Sequence, residues 1–203
     1  MKLAVLLFEG FELLDVFGPL EMLGHLGGEL DISLVAESTG PVRSAQGPAA
    51  CSERSFADSD DYDIVLVPGG IGTRREVDNP ACIDWIARSA SRARYTASVC
   101  TGAALLARAG VLDGRKATTN KLAYAWVCSQ GPNTQWQAKA RWVQDGNLFT
   151  SAGVSAGIDM ALALIQHIWG TAKAEEIALW SEYVWNPDPA SDSFAARHGL
   201  VAH

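Results

Sequence analysis

Short apolar runs alternate along the chain with longer stretches in which apolar residues recur every three to four positions. The short runs predict strands and the periodic stretches predict helices. Predicted strands occupy residues 3–8, 32–36, 64–67, 95–98, 116–118 and 148–150. Predicted helices occupy residues 18–26, 80–92, 101–109, 121–128, 155–169 and 172–185. This alternation favours an α/β fold, with a mostly parallel sheet covered on both faces by helices.

Turn signals divide two of these stretches. Residues 141–150 carry Asp145-Gly146 between apolar runs, which predicts a β-hairpin, and a second turn or hairpin is expected around residues 45–48.

A chain of 203 residues that is 48% hydrophobic can bury one full core. We therefore predict a single domain over residues 1–203, with a C-terminal tail at about 186–203 that wraps the surface.

Charge and cysteine content exclude several classes of function. Sixteen basic against 23 acidic residues give a net charge of −7, so nothing in the chain attracts a nucleic-acid backbone. The first apolar run ends at Glu9 and is too short for a signal peptide or a membrane span. The cysteines match no metal, redox or disulfide spacing, and they are Cys51, Cys82, Cys100 and Cys128. We expect a cytoplasmic protein that binds a small molecule and no metal.

Cys100 is the first candidate for a nucleophile. It lies where the predicted strand 95–98 gives way to a helix of small residues that begins near Thr101. A sharp strand-to-helix turn exposes the side chain at the turn, and the helix N-terminus favours a thiolate there. The alternative is that Cys100 is a buried, inert apolar residue.

The proton of such a thiol is usually managed by histidine, but no histidine is well placed in the sequence. His167 falls within a predicted helix as a packed or capping residue, and His198 and His203 fall in the tail. A Cys–His protease-like arrangement is therefore poorly supported.

Asp15 is the candidate acid because it lies in an apolar stretch just beyond the first strand. If the first strand lies beside the strand that leads to Cys100, their carboxyl ends bring the two side chains together. Two anions in contact repel each other, so the pair is expected to share one proton. Asp15 could instead be a helix cap or first-turn acid, and Glu21 is a competing acid.

The loop after strand 64–67 is rich in glycine but lacks the spacing of a phosphate-binding loop. We predict that the backbone N–H groups of Gly70, Ile71 and Thr101 form an anion-stabilising hole beside the sulfur. The alternative is a plain tight turn. Trp185 is a candidate wall for an apolar pocket above the thiol.

Five segments carry a resemblance to a known family, and they are residues 15–21, 67–72, 98–103, 117–119 and 153–159. Together they resemble the ThiJ/PfpI superfamily (class I glutamine amidotransferase-like), and most of all its isonitrile hydratase branch and the related domain of AraC-type regulators. The resemblance implies a flavodoxin-like three-layer sandwich with a nucleophile elbow, and usually a homodimer.

The same resemblance implies roles for five residues. Cys100 would be the nucleophile and Asp15 the acid beside it, while Thr101, Gly70 and Ile71 would contact the substrate. One departure stands out, because many relatives have Thr-Thr-His where this chain has Thr-Thr followed by Asn120. Since an asparagine cannot act as a base, peptidase and amidotransferase activities become less expected.

The function expected from these residues is that of a cysteine-dependent hydratase, a lyase that converts small isocyanides to N-formamides through a thioimidate and needs no cofactor. One alternative is glyoxalase- or deglycase-like chemistry on reactive carbonyls. Another is a non-enzymatic redox sensor, since a cysteine beside an acid can be oxidised. A transcriptional regulator is less expected because no basic recognition helix follows residue 185.

Overall fold

The computed structural model describes residues 1–58 and 61–201, so His203 lies outside the described residues. Strands are β1 (Lys2–Leu6), β2 (Asp31–Ala36), β3 (Gly40–Arg43), β4 (Ala49–Ser52), β5 (Arg54–Ser55), β6 (Ile64–Val67), β7 (Tyr95–Ser98), β8 (Lys116–Ala117), β9 (Gln135–Trp136), β10 (Trp142–Asp145) and β11 (Leu148–Ser151). Helices are α1 (Leu13–Gly24), α2 (Thr73–Glu76), α3 (Pro80–Arg92), α4 (Gly102–Arg108), α5 (Tyr124–Gln130), α6 (Ala156–Trp169), α7 (Thr171–Trp180) and α8 (Phe194–Arg197).

A central sheet of seven strands has the order β10-β11-β7-β6-β1-β2-β5. Every neighbouring pair in it is parallel except β10 with β11. Strands β1 and β6 lie at its centre, and residue Leu3 of β1 is in register with Ile64 of β6. All of β6 is buried, which explains its unbroken apolar sequence. The predicted α/β fold with a mostly parallel sheet and surrounding helices is confirmed.

The connections determine where the sheet opens. The chain passes from β1 through α1 to β2 in one direction, and from β6 through α3 to β7 in the other. Because such crossovers are right-handed, α1 and α3 lie on opposite faces of the sheet. Helix α1 packs on α6, whereas α3 packs on α4. Strands β1 and β6 therefore form a topological switch point, whose carboxyl ends border a crevice.

Both predicted hairpins are present. Strands β10 and β11 pair in antiparallel fashion up to Asp145 and Leu148, and Gly146 in the turn has φ 60°. Strands β3 and β4 form the other hairpin, in which the Ser44 N–H donates to the carbonyl of Pro48 at 2.9 Å. The two-residue strands β5 and β9 carry too little sequence to be recognised in advance.

The predicted start of the first helix at residue 18 is wrong, because α1 begins at Leu13. Proline usually marks a first helical turn, but Pro19 lies inside α1 and costs it the hydrogen bond to the carbonyl of Asp15. Burial of Val16 and Leu23 on one face holds the helix together across this gap. The earlier start places Asp15 in the first helical turn.

The predicted end of the last long helix at residue 185 is also wrong, because α7 ends at Trp180. Glu182 adopts a left-handed conformation with φ 50°, and the Tyr183 N–H then donates to the carbonyl of Ala178 at 2.9 Å. This arrangement normally ends a helix at a glycine. Since Glu182 is not glycine, the sequence carries no stop signal there.

Two elements between β7 and β10 are shorter than predicted. The predicted strand 116–118 is reduced to β8, which pairs with β9 outside the central sheet. The helix predicted at 121–128 begins only at Tyr124, because the Asn120 side chain accepts the Ala123 N–H at 2.9 Å and fixes a turn ahead of it.

The segment that follows Trp185 lies against β10 and α6, held by two groups of contacts. The Asp159 carboxylate of α6 accepts hydrogen bonds from the Arg141 side chain at 2.6 Å and from the Asn186 N–H at 3.0 Å. Lys121 and Asp192 form an ion pair at 3.5 Å, with side chains only 2% and 1% exposed. Buried carboxylates therefore attach this segment to the domain. None of the helices within the described ranges is long and apolar enough to cross a membrane.

Replacing Asp159 by alanine is expected to lower the free energy of unfolding by about 3–5 kcal/mol, because Arg141 would keep a buried charge without its partner. Urea denaturation followed by circular dichroism measures this change. The control is Asp113→Ala on the exposed surface, for which a change within about 0.5 kcal/mol is expected. Equal stability of the two variants would contradict this role of Asp159.

Candidate active site

Cys100 occupies the sharp turn between β7 and α4, with a left-handed backbone at φ 56°. Residues other than glycine seldom adopt this conformation unless their surroundings impose it. Here the Cys100 N–H donates to the carbonyl of Ala152 at 3.3 Å, and its carbonyl accepts the Thr119 hydroxyl at 2.8 Å. The backbone is thus held from both sides, in the geometry of a nucleophile elbow.

Gly102 explains why small residues follow the cysteine. A Cβ atom at Gly102 would lie 2.2 Å from the carbonyl oxygen of Val67 and 2.7 Å from that of Pro68. Only glycine lets the first turn of α4 approach the end of β6 this closely. The approach brings the loop after β6 beside the sulfur.

Asp15 reaches the same point from the first turn of α1. Its side chain is fully buried, and Oδ2 accepts the Gly69 N–H at 2.9 Å. Among the described residues no hydrogen bond of ordinary geometry reaches Oδ1. Burial above all, with the nearby charge of Glu12, raises the pKa of Asp15 to about 8, although the Gly69 N–H and the Cys100 thiol act to lower it. The carboxyl is therefore mostly protonated at neutral pH.

The thiol of Cys100, like the carboxyl of Asp15, is buried and has a raised pKa. The residue is only 6% exposed, and burial followed by the charge of Asp15 raises its pKa, while the backbone N–H groups of Thr101 and Val154 act to lower it. Asp15 and Cys100 are therefore coupled, as the sequence predicted. The single shared proton stays a prediction, and burial opposes a negative charge on either group.

The raised pKa of Asp15 makes the stability of the protein depend on pH. An acid with a folded pKa of about 8 and an unfolded value of 3.8 contributes stability that is fully present below pH 3.8 and lost as pH rises through about 8. The neutral variant Asp15→Asn avoids this loss. It is expected to exceed the wild type in free energy of unfolding by on the order of 3 kcal/mol at pH 8, and by far less at pH 4. Urea titrations at both values measure the difference, and a difference independent of pH would contradict the assignment.

The loop after β6 is tied directly to the elbow. A Cβ atom at Gly69 would lie 2.6 Å from the Thr101 nitrogen and 2.8 Å from Oδ2 of Asp15. The Gly70 N–H donates to the Thr101 hydroxyl at 3.0 Å, so it is not free for a substrate and its predicted place in an anion hole needs correction. The N–H of Ile71 has no hydrogen-bond partner among the residues described, and its side chain is 69% exposed. The predicted role of Ile71 in contacting the substrate stays a prediction.

Several side chains considered in the sequence lie elsewhere. Glu21 is on the exposed side of α1 and lies 3.5 Å from His25. His167 is exposed on α6, away from the elbow between β7 and α4. Trp185 as a wall above the thiol stays a prediction, and its indole N–H donates to the carbonyl of Asp159 at 3.3 Å. None of the three is a partner of Cys100.

The departure at Asn120 has a structural explanation. Besides accepting the Ala123 N–H, its side chain packs on Gly153 so closely that a Cβ atom there would lie 2.2 Å from Nδ2. Asn120 therefore shapes the loop contacts beside the site, and its amide cannot act as an acid or a base near neutral pH.

Sequence reasoning missed two residues near the sulfur. Val154 has φ 42°, which is exceptional for a β-branched residue, and its N–H reaches the Cys100 thiol. Arg74 lies over the ring of Trp126 at 3.3 Å from the ring centre, and it is within electrostatic range of the Cys100 sulfur. No local motif marks these residues, because they come from segments far apart in the chain.

A mostly apolar cavity of about 300 Å³ adjoins the site beside Val154. Residues that line it include Leu14, Asn120, Leu122, Phe194 and His198. Three charged side chains, Lys121, Arg141 and Asp192, also line the cavity, and each of them is engaged in an ion pair. Within residues 1–58 and 61–201, no group of three or more metal-binding side chains is present.

The fold and the site together define a class of α/β proteins that carry a cysteine on a nucleophile elbow beside a buried acid. The chain belongs to the DJ-1/PfpI family, whose family model matches residues 1–167. This confirms the resemblance to ThiJ/PfpI proteins seen in the sequence motifs.

Named relatives agree with this assignment. The chain is 36% identical over 193 residues to isonitrile hydratase of Pseudomonas putida, covering 95% of this chain and 82% of that protein. The crystal structure of a ThiJ/PfpI family protein from Pseudomonas syringae superposes with a TM-score of 0.82 at 33% identity, covering 98% of this chain and 82% of the other. A DJ-1 superfamily protein from Salmonella typhimurium superposes with a TM-score of 0.79 at 27% identity, covering 91% and 99%.

Proposed function

We propose that the protein is a hydratase of small isocyanides, which forms N-formamides with Cys100 as nucleophile and Asp15 as the group that manages the proton. The observation that carries this proposal is the buried Asp15 carboxyl beside the thiol at the elbow. Similarity to an isonitrile hydratase supports the same reaction class.

The first step joins the thiol to the substrate. Because the pKa of Asp15 is about 8, a fraction of the carboxyl is ionised at neutral pH and can take the proton from the Cys100 thiol. The sulfur then forms a bond to the terminal carbon of the isocyanide, and Asp15 gives the proton to that carbon. The product is a thioimidate, R–N=CH–S–Cys100, which contains every atom of the isocyanide and the thiol.

The second step uses water. A water molecule adds to the thioimidate carbon, the carbon–sulfur bond breaks, and one proton returns to sulfur while another goes to nitrogen. The formamide R–NH–CHO leaves and the thiol of Cys100 is restored. Asp15, which lies beside the thiol, again holds the proton between these positions.

The surroundings of the sulfur suit a substrate whose reacting group is uncharged. Thr101 and Val154 offer backbone N–H groups at the sulfur, where negative charge develops as the thiol is deprotonated. The cavity lined by Leu14 and Leu122 is mostly apolar, which fits an alkyl or aryl group.

The test is incubation of the purified protein with a panel of alkyl and aryl isocyanides, with formamides measured by mass spectrometry. We expect catalytic turnover of at least one member and none with Cys100→Ser. If no isocyanide gives formamide above the background of the Cys100→Ser variant, the proposal is wrong. Methylglyoxal is tested beside the isocyanides. Formation of lactate from methylglyoxal without formation of any formamide would favour the reactive-carbonyl alternative.

The redox-sensor alternative is disfavoured by the state of the thiol. Oxidation to sulfenic acid proceeds through an exposed thiolate. Cys100 is buried, so an oxidant in solution has little access to its sulfur.

A further inference from the structure

Arg74 is a cation at the mouth of the site that the reaction above does not use. It lies in α2, just after the glycine-rich loop, and its guanidinium stacks over the ring of Trp126 in α5 at 3.3 Å from the ring centre. Stacking on an indole fixes the plane of a guanidinium and leaves its N–H edges free. Arg74 is therefore held in one orientation while its side chain stays exposed.

A chain of hydrogen bonds connects this guanidinium to the elbow. Nη1 of Arg74 donates to the Thr73 hydroxyl at 3.4 Å. The Thr73 hydroxyl donates to the carbonyl of Gly70 at 2.7 Å and lies 3.2 Å from the Thr101 hydroxyl. Thr101 directly follows Cys100 in the chain. Burial lowers the pKa of Arg74, and a negative charge on the Cys100 sulfur would act in the opposite direction. The cation is thus within electrostatic range of the reacting sulfur.

Arg74 differs from its neighbours in having no acidic partner. Arg75 pairs with Glu76, and Arg141 pairs with Asp159. For Arg74, no carboxylate of residues 1–58 or 61–201 lies within ion-pair distance. An oriented guanidinium without a partner is suited to bind an anion from solution.

Two acidic groups near the sulfur could oppose an incoming anion. Asp15 is mostly protonated below pH 8, so it carries little charge at neutral pH. Glu12 is engaged through Oε1 by the side chain of Gln46 at 2.5 Å. The mouth therefore combines one engaged carboxylate with one unpaired guanidinium.

We propose that Arg74 recognises an anionic group of the substrate, so that the preferred substrates are small isocyanides that also carry a carboxylate. The proposal deepens the proposed hydratase function and rests on it for the identity of the reacting carbon. A planar carboxylate matches the two N–H edges of a stacked guanidinium. The stack on Trp126 fixes the plane of the guanidinium at which that carboxylate would bind.

Alkylation of Cys100 tests the charge at the mouth without requiring any isocyanide chemistry. Iodoacetate and iodoacetamide react alike: the sulfur forms a bond to the methylene carbon, the carbon–iodine bond breaks and iodide leaves. They differ in charge, so the ratio of their rates reports a nearby cation. Rates are taken from the mass of the Cys100 peptide in wild type, Arg74→Gln and the control Arg75→Gln, which loses the same charge one residue away.

We expect the iodoacetate-to-iodoacetamide ratio to fall roughly threefold to tenfold in Arg74→Gln and less than twofold in Arg75→Gln. The difference should shrink as salt is added. Equal ratios in all three proteins would overturn the proposal. So would an equal fall of both rates in Arg74→Gln, since Arg74 would then act on the thiol rather than on the incoming anion.

Paired substrates give the second measurement. An isocyanide with a carboxylate and its methyl ester are compared, and we expect Arg74→Gln to raise the KM of the acid at least about threefold while leaving that of the ester unchanged. Absence of turnover with every isocyanide would refute the hydratase function but leave the alkylation result to decide the role of Arg74. Turnover with no preference for the acid would overturn the role of Arg74 alone.

Discussion

Cys100→Ser is expected to lower kcat for isocyanide hydration by at least about 10³-fold, with the fold retained. The reason is chemical, because a serine hydroxyl ionises far less readily than a thiol and is a poorer nucleophile toward a soft carbon. Serine matches cysteine in shape, so the hydrogen bonds of residue 100 with Ala152 and Thr119 can persist. The measurement is steady-state formamide production, accompanied by circular dichroism and thermal unfolding.

Cys51→Ser is the matched control, because Cys51 is an exposed free cysteine on β4. Its activity should stay within about twofold of wild type. A Cys100→Ser enzyme with more than about a tenth of wild-type kcat would contradict the covalent mechanism. Loss of activity in both variants would point to a general effect of cysteine replacement.

Asp15→Asn has the second largest expected effect, a fall in kcat of about 10²- to 10³-fold. The amide can still accept the Gly69 N–H but can neither take the thiol proton nor return it. The same variant is expected to be more stable than wild type at pH 8. Lower activity with higher stability is the result that distinguishes a catalytic carboxyl from a structural one.

Glu12→Gln serves as the control for Asp15→Asn. Glu12 is a nearby acid whose charge acts on both Asp15 and Cys100, but its side chain bonds to Gln46 instead. We expect activity within about threefold of wild type. If Asp15→Asn retained wild-type kcat, the proton would have to be carried by another group, and the proposed role of Asp15 would be wrong.

Much of the fold could be predicted because burial leaves a direct mark on the sequence. The apolar run of β6 and the small residues of α4 are consequences of close packing at the centre of the sheet. Helix ends were less predictable. Pro19 lies within α1 because tertiary packing outweighs its local preference, and α7 ends at a left-handed glutamate that no sequence rule marks.

The site shows the same division between local and long-range information. The sequence predicted Cys100 and Asp15 because each stands beside a recognisable strand end. It could not predict the strained Val154 or the stack of Arg74 on Trp126, since both depend on segments brought together only by folding. It also could not show that Thr101 engages the Gly70 N–H, which removes that group from the predicted anion hole.

The claim that Asp15 and Cys100 act together through a covalent intermediate is tested most directly by rapid-quench mass spectrometry during turnover of an isocyanide. We predict a transient adduct on the Cys100 peptide, heavier by the mass of the isocyanide, that forms and decays at least as fast as formamide is released. In Asp15→Asn the adduct should form slowly. Formamide production with no adduct, or with an adduct on another residue, would contradict the account.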